Sequence, residues 1–542
     1  MVLDLKNAIN LIFFAKEIKK FQKNIDNVRN ECYNIFEKFS KIFKEIQMTN
    51  RYLGVLLPVT ALPSQYGVGT LGEEAENFID FLVTARQNLW QVLPLVPTGY
   101  GDSPYASTCA TAGSPYLIDI RKLINEGLLT EEEANEYSCE SERVNYEQLF
   151  YRRIPLLKLA FKRFNKEDGK FLQFINEGEF AQFALFMAIK ENYNWLPFSK
   201  WNEGLRLRNE GALKQFEKEH QEDILFWQFT QYTFFKQWKE IKKYANERGI
   251  SIMGDMPLYV SDDSVEVWAN PELFMLDENG RLKEVAGVPP DYFSETGQLW
   301  GNPLYNWDEM KKDGYKWWTN RLRKALSMYD YVRIDHFRGF DRFYAIPEGM
   351  TDAKIGRWCD GPKEALFEDK LDWNIVAEDL GLLDDGVYRL MKNTGFPRMK
   401  ILQFAFDGNP EHEYKPSNYG ENCVVYTGTH DNATFIEYIE DLPAKYRKIF
   451  FDDLRKECAK FGIELTRNCK LQATKAVVQL AYLSKARFVI MPLQDLLLLG
   501  RESRINHPGT LGTWNWSWRL KGEHLKKSRA QIIAGLVKKS GR

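Results

Sequence analysis

From residue 51 onward, short apolar bursts alternate with longer stretches of helical spacing. Eight bursts read as strands: 55–57, 90–95, 250–253, 331–334, 374–377, 400–404, 424–426 and 488–491. A helix is expected over 73–85, and charged helical patterns run over 128–137 and 224–248. Eight strands separated by helix-length segments predict an α/β fold, a (β/α)8 TIM barrel. The pattern divides the chain into an N-terminal helical extension over 1–47 and a barrel domain over 48–542. Two insertions are expected in the barrel: a helical one at about 106–248 and an active-site loop subdomain at 257–329. Within the second, 257–307 shows little periodicity, and a loop of that length in a compact domain usually serves a function. Residues 1–47 contain no Gly or Pro and place Ile9, Ile12, Phe13, Ala15, Ile18 and Phe21 near helical spacing. They read as an amphipathic extension dispensable for the main body, with Met48 a second start.

The polar residues that stop the strands carry the chemistry. Strands three, four, five, seven and eight run into Asp255, Asp335, Glu378, Asp431 and Asp495. In (β/α)8 barrels the active site lies at the carboxyl ends of the strands, so these acids are expected on one face. The fourth strand is the most informative. Side chains alternate along a strand, so Arg333 and Asp335 share a face while Val332 and Ile334 take the other. A guanidinium beside a carboxylate favours the ionised carboxylate. Three readings compete: a Mg²⁺ or Ca²⁺ site, glycoside chemistry by paired carboxylates, and a ligand-binding barrel without catalysis.

Composition narrows the choice. Of 542 residues, 14% are aromatic, including 15 Trp and 26 Tyr, and flat aromatic faces suit sugar rings. Net charge is −2, which points to neither nucleic acid nor an anionic membrane. The seven Cys are scattered without a Cys-x-x-Cys pair, which fits reduced thiols and a cytoplasmic location. The apolar start at 8–15 is short and lacks a cleavage site, so no signal peptide is expected, and no segment is long enough to span a bilayer. Arg333 beside Asp335 opposes a metal but suits an anionic nucleophile facing an oxocarbenium-like centre. Two of the six His, His336 and His430, adjoin the candidate acids and are placed to donate to sugar hydroxyls. Tyr100, Tyr105, Tyr292, Phe293 and Trp300 fall in loops on the same expected face. Together these features favour carbohydrate.

The order of the motifs then resembles that of the amylomaltase (disproportionating enzyme) family of 4-α-glucanotransferases, relatives of the α-amylases. The resemblance covers roughly 51–520. It is carried by Trp90-Gln91-Val92-Leu93-Pro94-Leu95, Gly99 to Tyr105, Val267 to Phe274, Ala286 to Tyr292, Thr296 to Tyr305, Arg333 to Gly339, Ala377 to Gly381, Thr427 to Asn432, Asn506-His507-Pro508-Gly509 and Asn515 to Arg519. It implies that Asp335 is the nucleophile of a covalent glycosyl-enzyme, that Glu378 is the general acid and then base, and that Asp431 holds ring hydroxyls of the donor glucose. Arg333 would keep Asp335 ionised, and His336, His430 and Asp255 would line the donor subsite. Tyr100, Tyr105, Tyr292, Phe293, Gln298 and Trp300 would contact glucan. The implied partners are α-1,4-glucans, maltooligosaccharides and glucose, with no cofactor and no metal. Retention by two displacements needs the two carboxyls about 5–5.5 Å apart. It also needs a raised pKa at Glu378 and a low one at Asp335. A hydrolase of the α-amylase type and a non-catalytic glucan-binding relative are the rival readings. The chain departs from the family pattern at Ala433, Thr108, Thr111, Pro58-Val59 and Leu498, none of which removes a proposed catalytic group.

Overall fold

The computed structural model describes residues 51–542 except 138–140, 291–293, 369, 371, 372 and 382. The chain divides into two units, Met1–Arg51 and Tyr52–Arg542, and the second is described here. The expected extension over 1–47 lies outside the described residues, as do Tyr292 and Phe293.

Twelve strands occur in chain order: β1 (Tyr52–Leu56), β2 (Leu89–Gln91), β3 (Ser251–Met256), β4 (Glu284–Val288), β5 (Gln298–Pro303), β6 (Tyr331–Ile334), β7 (Arg342–Pro347), β8 (Arg357–Asp360), β9 (Ile375–Ala377), β10 (Arg398–Ile401), β11 (Cys423–Tyr426) and β12 (Phe488–Pro492). Eight of them close a parallel barrel in the order β1-β12-β11-β10-β9-β6-β3-β2. All eight apolar bursts are barrel strands. Their residues are buried almost throughout, because a parallel barrel is filled inside and covered by helices outside. Trp90 shows how one side chain serves both layers. It packs edge-on against Phe78 of the helix Glu73–Thr84, 4.9 Å between ring centroids, and its indole N–H donates to the Leu57 carbonyl at 2.8 Å.

The segment 257–307 differs from its sequence reading. It contains β4 and β5, which join β7 and β8 in a four-stranded antiparallel sheet of order β5-β4-β7-β8. β5 is an edge strand whose first four residues are all exposed, so it carries no apolar alternation to read. Its pairing with β4 shifts register between Val285 and Gly287. Gln298 and Trp300 therefore stand on a strand and not on an irregular loop. Several barrel boundaries also moved; β1 begins at Tyr52 and β3 runs on to Met256. β2 stops at Gln91, and β10 stops at Ile401 before a 3-10 turn over Leu402–Phe404.

Between β2 and β3 the chain is mostly helical, ending in the long helix Gln221–Glu247. That helix fastens the loop that follows β2. Gln231 brackets Gly113, accepting from its N–H at 2.7 Å and donating to its carbonyl at 3.0 Å. Gln237 does the same at Asp119, at 2.7 and 3.3 Å. The two glutamine side chains act as a stand-in strand for a loop with no ladder of its own. Gly113 is required there, since a Cβ would lie 2.0 Å from the Phe234 ring.

Candidate active site

Arg333 is the centre of the site. It lies on β6 opposite Asp255 of β3, in parallel register, with both side chains turned into the top of the barrel. One guanidinium nitrogen, Nη1, donates to both Asp255 carboxylate oxygens at 2.7 Å, and Nη2 donates to Asp335 Oδ1 at 2.9 Å. Nε faces the Met399 sulfur at 3.5 Å. The Asp255 carboxylate is completely buried, whereas that of Asp335 opens to the groove, 31% exposed. Tyr105, from the loop after β2, donates its phenol to Asp255 at 2.8 Å. Burial and the adjacent carboxylates hold that phenol well above its ordinary pKa, so it remains a neutral donor. The guanidinium thus occupies the ground between two carboxylates that a divalent cation would need, and supplies the positive charge itself.

Glu378 follows β9 and is held by the backbone next door. Its Oε2 accepts from His336 N–H and its Oε1 from Leu380 N–H, both at 2.7 Å. His336 has a left-handed backbone, φ 53°, unusual for a residue with a side chain, and sits at the turn from which its N–H reaches Glu378. Burial, reinforced by the charge of Asp335, pushes Glu378 up to about 8, outweighing Arg333 and the two N–H donors. Asp335 is also raised, first by burial and then by Asp255 and Asp431, with Arg333 pulling the other way. This differs from the low value expected at Asp335. The reason is burial, which outweighs the opposing pull of Arg333, a cation that Asp335 shares with the fully buried Asp255. The Asp335 charge in turn helps to lift Glu378.

Asp431 stands on the loop after β11. Its Oδ1 accepts from the Asn506 amide at 2.7 Å, and its Oδ2 lies 3.4 Å from His430 Nε2. His430 is buried and stacks on Tyr105, 5.0 Å between centroids at 16°, which links the Asp431 loop to the Asp255 side. Trp516 tilts against both rings. On the opposite flank, Trp300 of β5 meets His336 edge to face at 4.6 Å and donates its indole N–H to Gln298 Oε1 at 3.1 Å. Burial and the Arg338 cation push His336 down to about 3, so its imidazole is neutral at ordinary pH. Tyr100 is 77% exposed and makes no polar contact with the acids among the described residues.

Of the five acids expected at strand ends, Asp255 lies inside β3, and Asp335, Glu378 and Asp431 follow their strands. Asp495 does not join them. It lies in the short helix Leu493–Leu497, 1% exposed, and accepts from the Thr427 hydroxyl and the Phe435 N–H. It fastens the Asp431 loop from beneath, and burial raises it to about 6. Three contacts were missed from sequence: Asn506, Arg504 and Trp516, all on the segment after β12. Asn506 and Trp516 fall in the Asn506–Gly509 and Asn515–Arg519 motifs, which carried no assigned role, whereas Arg504 lies outside both.

This arrangement accords with the comparisons. The 4-alpha-glucanotransferase family profile matches residues 57–526. The chain belongs to the 4-alpha-glucanotransferase family. A 4-alpha-glucanotransferase of Thermus thermophilus is 44% identical over 503 residues, covering 89% of this chain and 98% of the relative. One from Clostridium butyricum is 41% identical over 498 residues, covering 89% and 99%. Among solved structures, an amylomaltase from Streptococcus agalactiae in complex with acarbose superposes with a TM-score of 0.85 at 39% identity, covering 91% of this chain and 99% of that one. The departure at Leu498 now has a physical reading: its φ is 59°, a backbone that favours the glycine usual in the family.

Proposed function

We propose that this enzyme transfers a segment of a 1,4-α-glucan to the 4-hydroxyl of an acceptor glucan or glucose, through a covalent intermediate on Asp335. The observation that carries the reading is the pair of unlike carboxyls: Glu378 lifted to about 8, and Asp335 bonded to Arg333 and open to the groove. A carboxyl lifted toward neutrality beside one bonded to a guanidinium suits an acid working beside a nucleophile.

In the first displacement an Asp335 oxygen attacks the anomeric carbon of the donor. Glu378 gives its proton to the glycosidic oxygen, the carbon–oxygen bond breaks, and the leaving glucan departs with a new 4-hydroxyl. In the second, Glu378, now a carboxylate, takes the proton of an acceptor 4-hydroxyl as that oxygen attacks the same carbon and Asp335 leaves. Two inversions give net retention. Arg333 supports the charge of Asp335 at the start and end of the cycle. Asp431, His430 and the neutral His336 would bond donor hydroxyls, and Tyr105, Gln298 and Trp300 would line the glucan. Transfer outruns hydrolysis where an acceptor sugar, seated on aromatic surfaces, displaces water from the intermediate. Substrates on this reading are α-1,4-glucans and maltooligosaccharides. The five cysteines among the described residues are all free thiols, which supports a reducing, cytoplasmic setting. No helix among the described residues is long and apolar enough to cross a membrane.

Incubation of the pure protein with maltotriose tests the reading. A ladder of longer maltodextrins, together with glucose, is expected. Glucose and maltose alone would favour the hydrolase, and unchanged maltotriose the binding protein.

A further inference from the structure

Asp431 needs to be held, because its side chain is 46% exposed and its loop is short. Part of the restraint is local. Asp431 N–H donates to the Thr429 hydroxyl at 3.3 Å, and Asn432 Oδ1 accepts from Thr429 N–H at 2.8 Å and from its hydroxyl at 3.0 Å. The rest comes from a distant stretch of chain. Asn506 grips the carboxylate, and Arg504 bonds the backbone of both Asp431 and Asn506. Its Nη2 donates to the Asp431 backbone carbonyl at 3.2 Å, and its Nε donates to the Asn506 carbonyl at 2.9 Å. Its Nη1 reaches Glu437 Oε1 at 3.4 Å. Glu437 is fully buried in the helix Phe435–Asp441, which begins just after the Asp431 loop, and it also takes Arg501 Nη1 at 2.9 Å.

We propose that Arg504, anchored on the buried carboxylate of Glu437, is a positioning residue that sets where the Asp431 carboxylate stands against the donor sugar. The inference rests on the reading of Asp431 as a donor-binding acid. A guanidinium is planar and presents donors in a fixed fork, so three acceptors in three directions are held at set angles. One of those acceptors belongs to Asp431 and one to the residue bonded to its carboxylate. A lysine ammonium can neutralise Glu437 but cannot span all three. Geometry of this kind matters for rate, since a misplacement of about 1 Å can cost about a hundredfold.

Initial rates on maltotriose for Arg504→Met, Arg504→Lys, Asp431→Asn and Asp431→Asn with Arg504→Met test the proposal. Both Arg504 variants are expected to lose about ten- to a hundredfold in kcat, with KM within a few-fold of the parent. The double variant is expected to match Asp431→Asn alone, because the carboxylate whose place Arg504 sets is then gone. Wild-type kcat in Arg504→Lys would overturn the proposal, since charge alone would then suffice. So would a double variant whose losses multiply. If Arg504→Met does not fold, Arg504→Lys carries the same comparison in the Asp431→Asn background. Wild-type kcat in Asp431→Asn would sink the reading of Asp431 itself, a failure seen without touching Arg504.

Discussion

At the residue scale the site is a contest over one positive charge. Arg333 sits between a carboxylate it must neutralise and one it must activate. Asp255 has no solvent and takes two bonds; Asp335 has solvent and takes one. Burial raises both Asp335 and Glu378, the latter to about 8, against the pull of Arg333. The sign of the pH dependence follows. The first displacement needs Glu378 protonated, so kcat/KM on maltotriose is expected to fall as pH rises through about 8. Above that point the loss should approach tenfold per unit. A profile flat to pH 10 would show that Glu378 is not the proton donor. On the acid side the limb belongs to Asp335, and its rise above the ordinary aspartate value moves that limb upward.

At the scale of elements, the barrel strands present the acids and cannot tolerate crowding where they do so. Gly254 precedes Asp255 on β3, and a Cβ there would lie 2.1 Å from the Tyr329 ring. Gly254→Ala is therefore expected to cost about 1–3 kcal/mol of stability and to shift Asp255 off Arg333. Gly535, in the helix Lys527–Ser540, is the contrast: nothing stands within 4 Å of an added Cβ. Gly535→Ala should stabilise by about 0.5–1 kcal/mol. Unfolding midpoints and maltotriose turnover check both, and equal behaviour of the two variants would contradict the assignment. The same elements explain what could be read from sequence. Barrel strands such as Tyr331–Ile334 are buried on both faces, so their apolar runs stand out. β5 is exposed on nearly every residue and left no trace. Asp495 looked like its neighbours because a strand end followed by an acid says nothing about which way the side chain turns. Arg504 was invisible for a related reason: it acts on a backbone carbonyl 73 residues away.

At the scale of the whole molecule, closure of the barrel is what makes the site possible. Each strand end is held from both sides by a neighbour, so acids brought from β3, β6, β9 and β11 share one rim. The excursions from the barrel then build the walls: the segment braced by Gln231 and Gln237 carries Tyr105, the antiparallel sheet carries Trp300, and the stretch after β12 carries Asn506. On the proposed mechanism all of it serves one step, the formation of a bond between Asp335 and a sugar. That bond can be caught directly. A maltosyl fluoride needs no acid to expel its leaving group, so Glu378→Gln should still glycosylate Asp335 yet lack the base that releases the product. Mass spectrometry of that variant after a short reaction is expected to find one maltosyl unit on the peptide containing Asp335. Absence of any adduct while fluoride is released, or an adduct on another residue, would contradict the account.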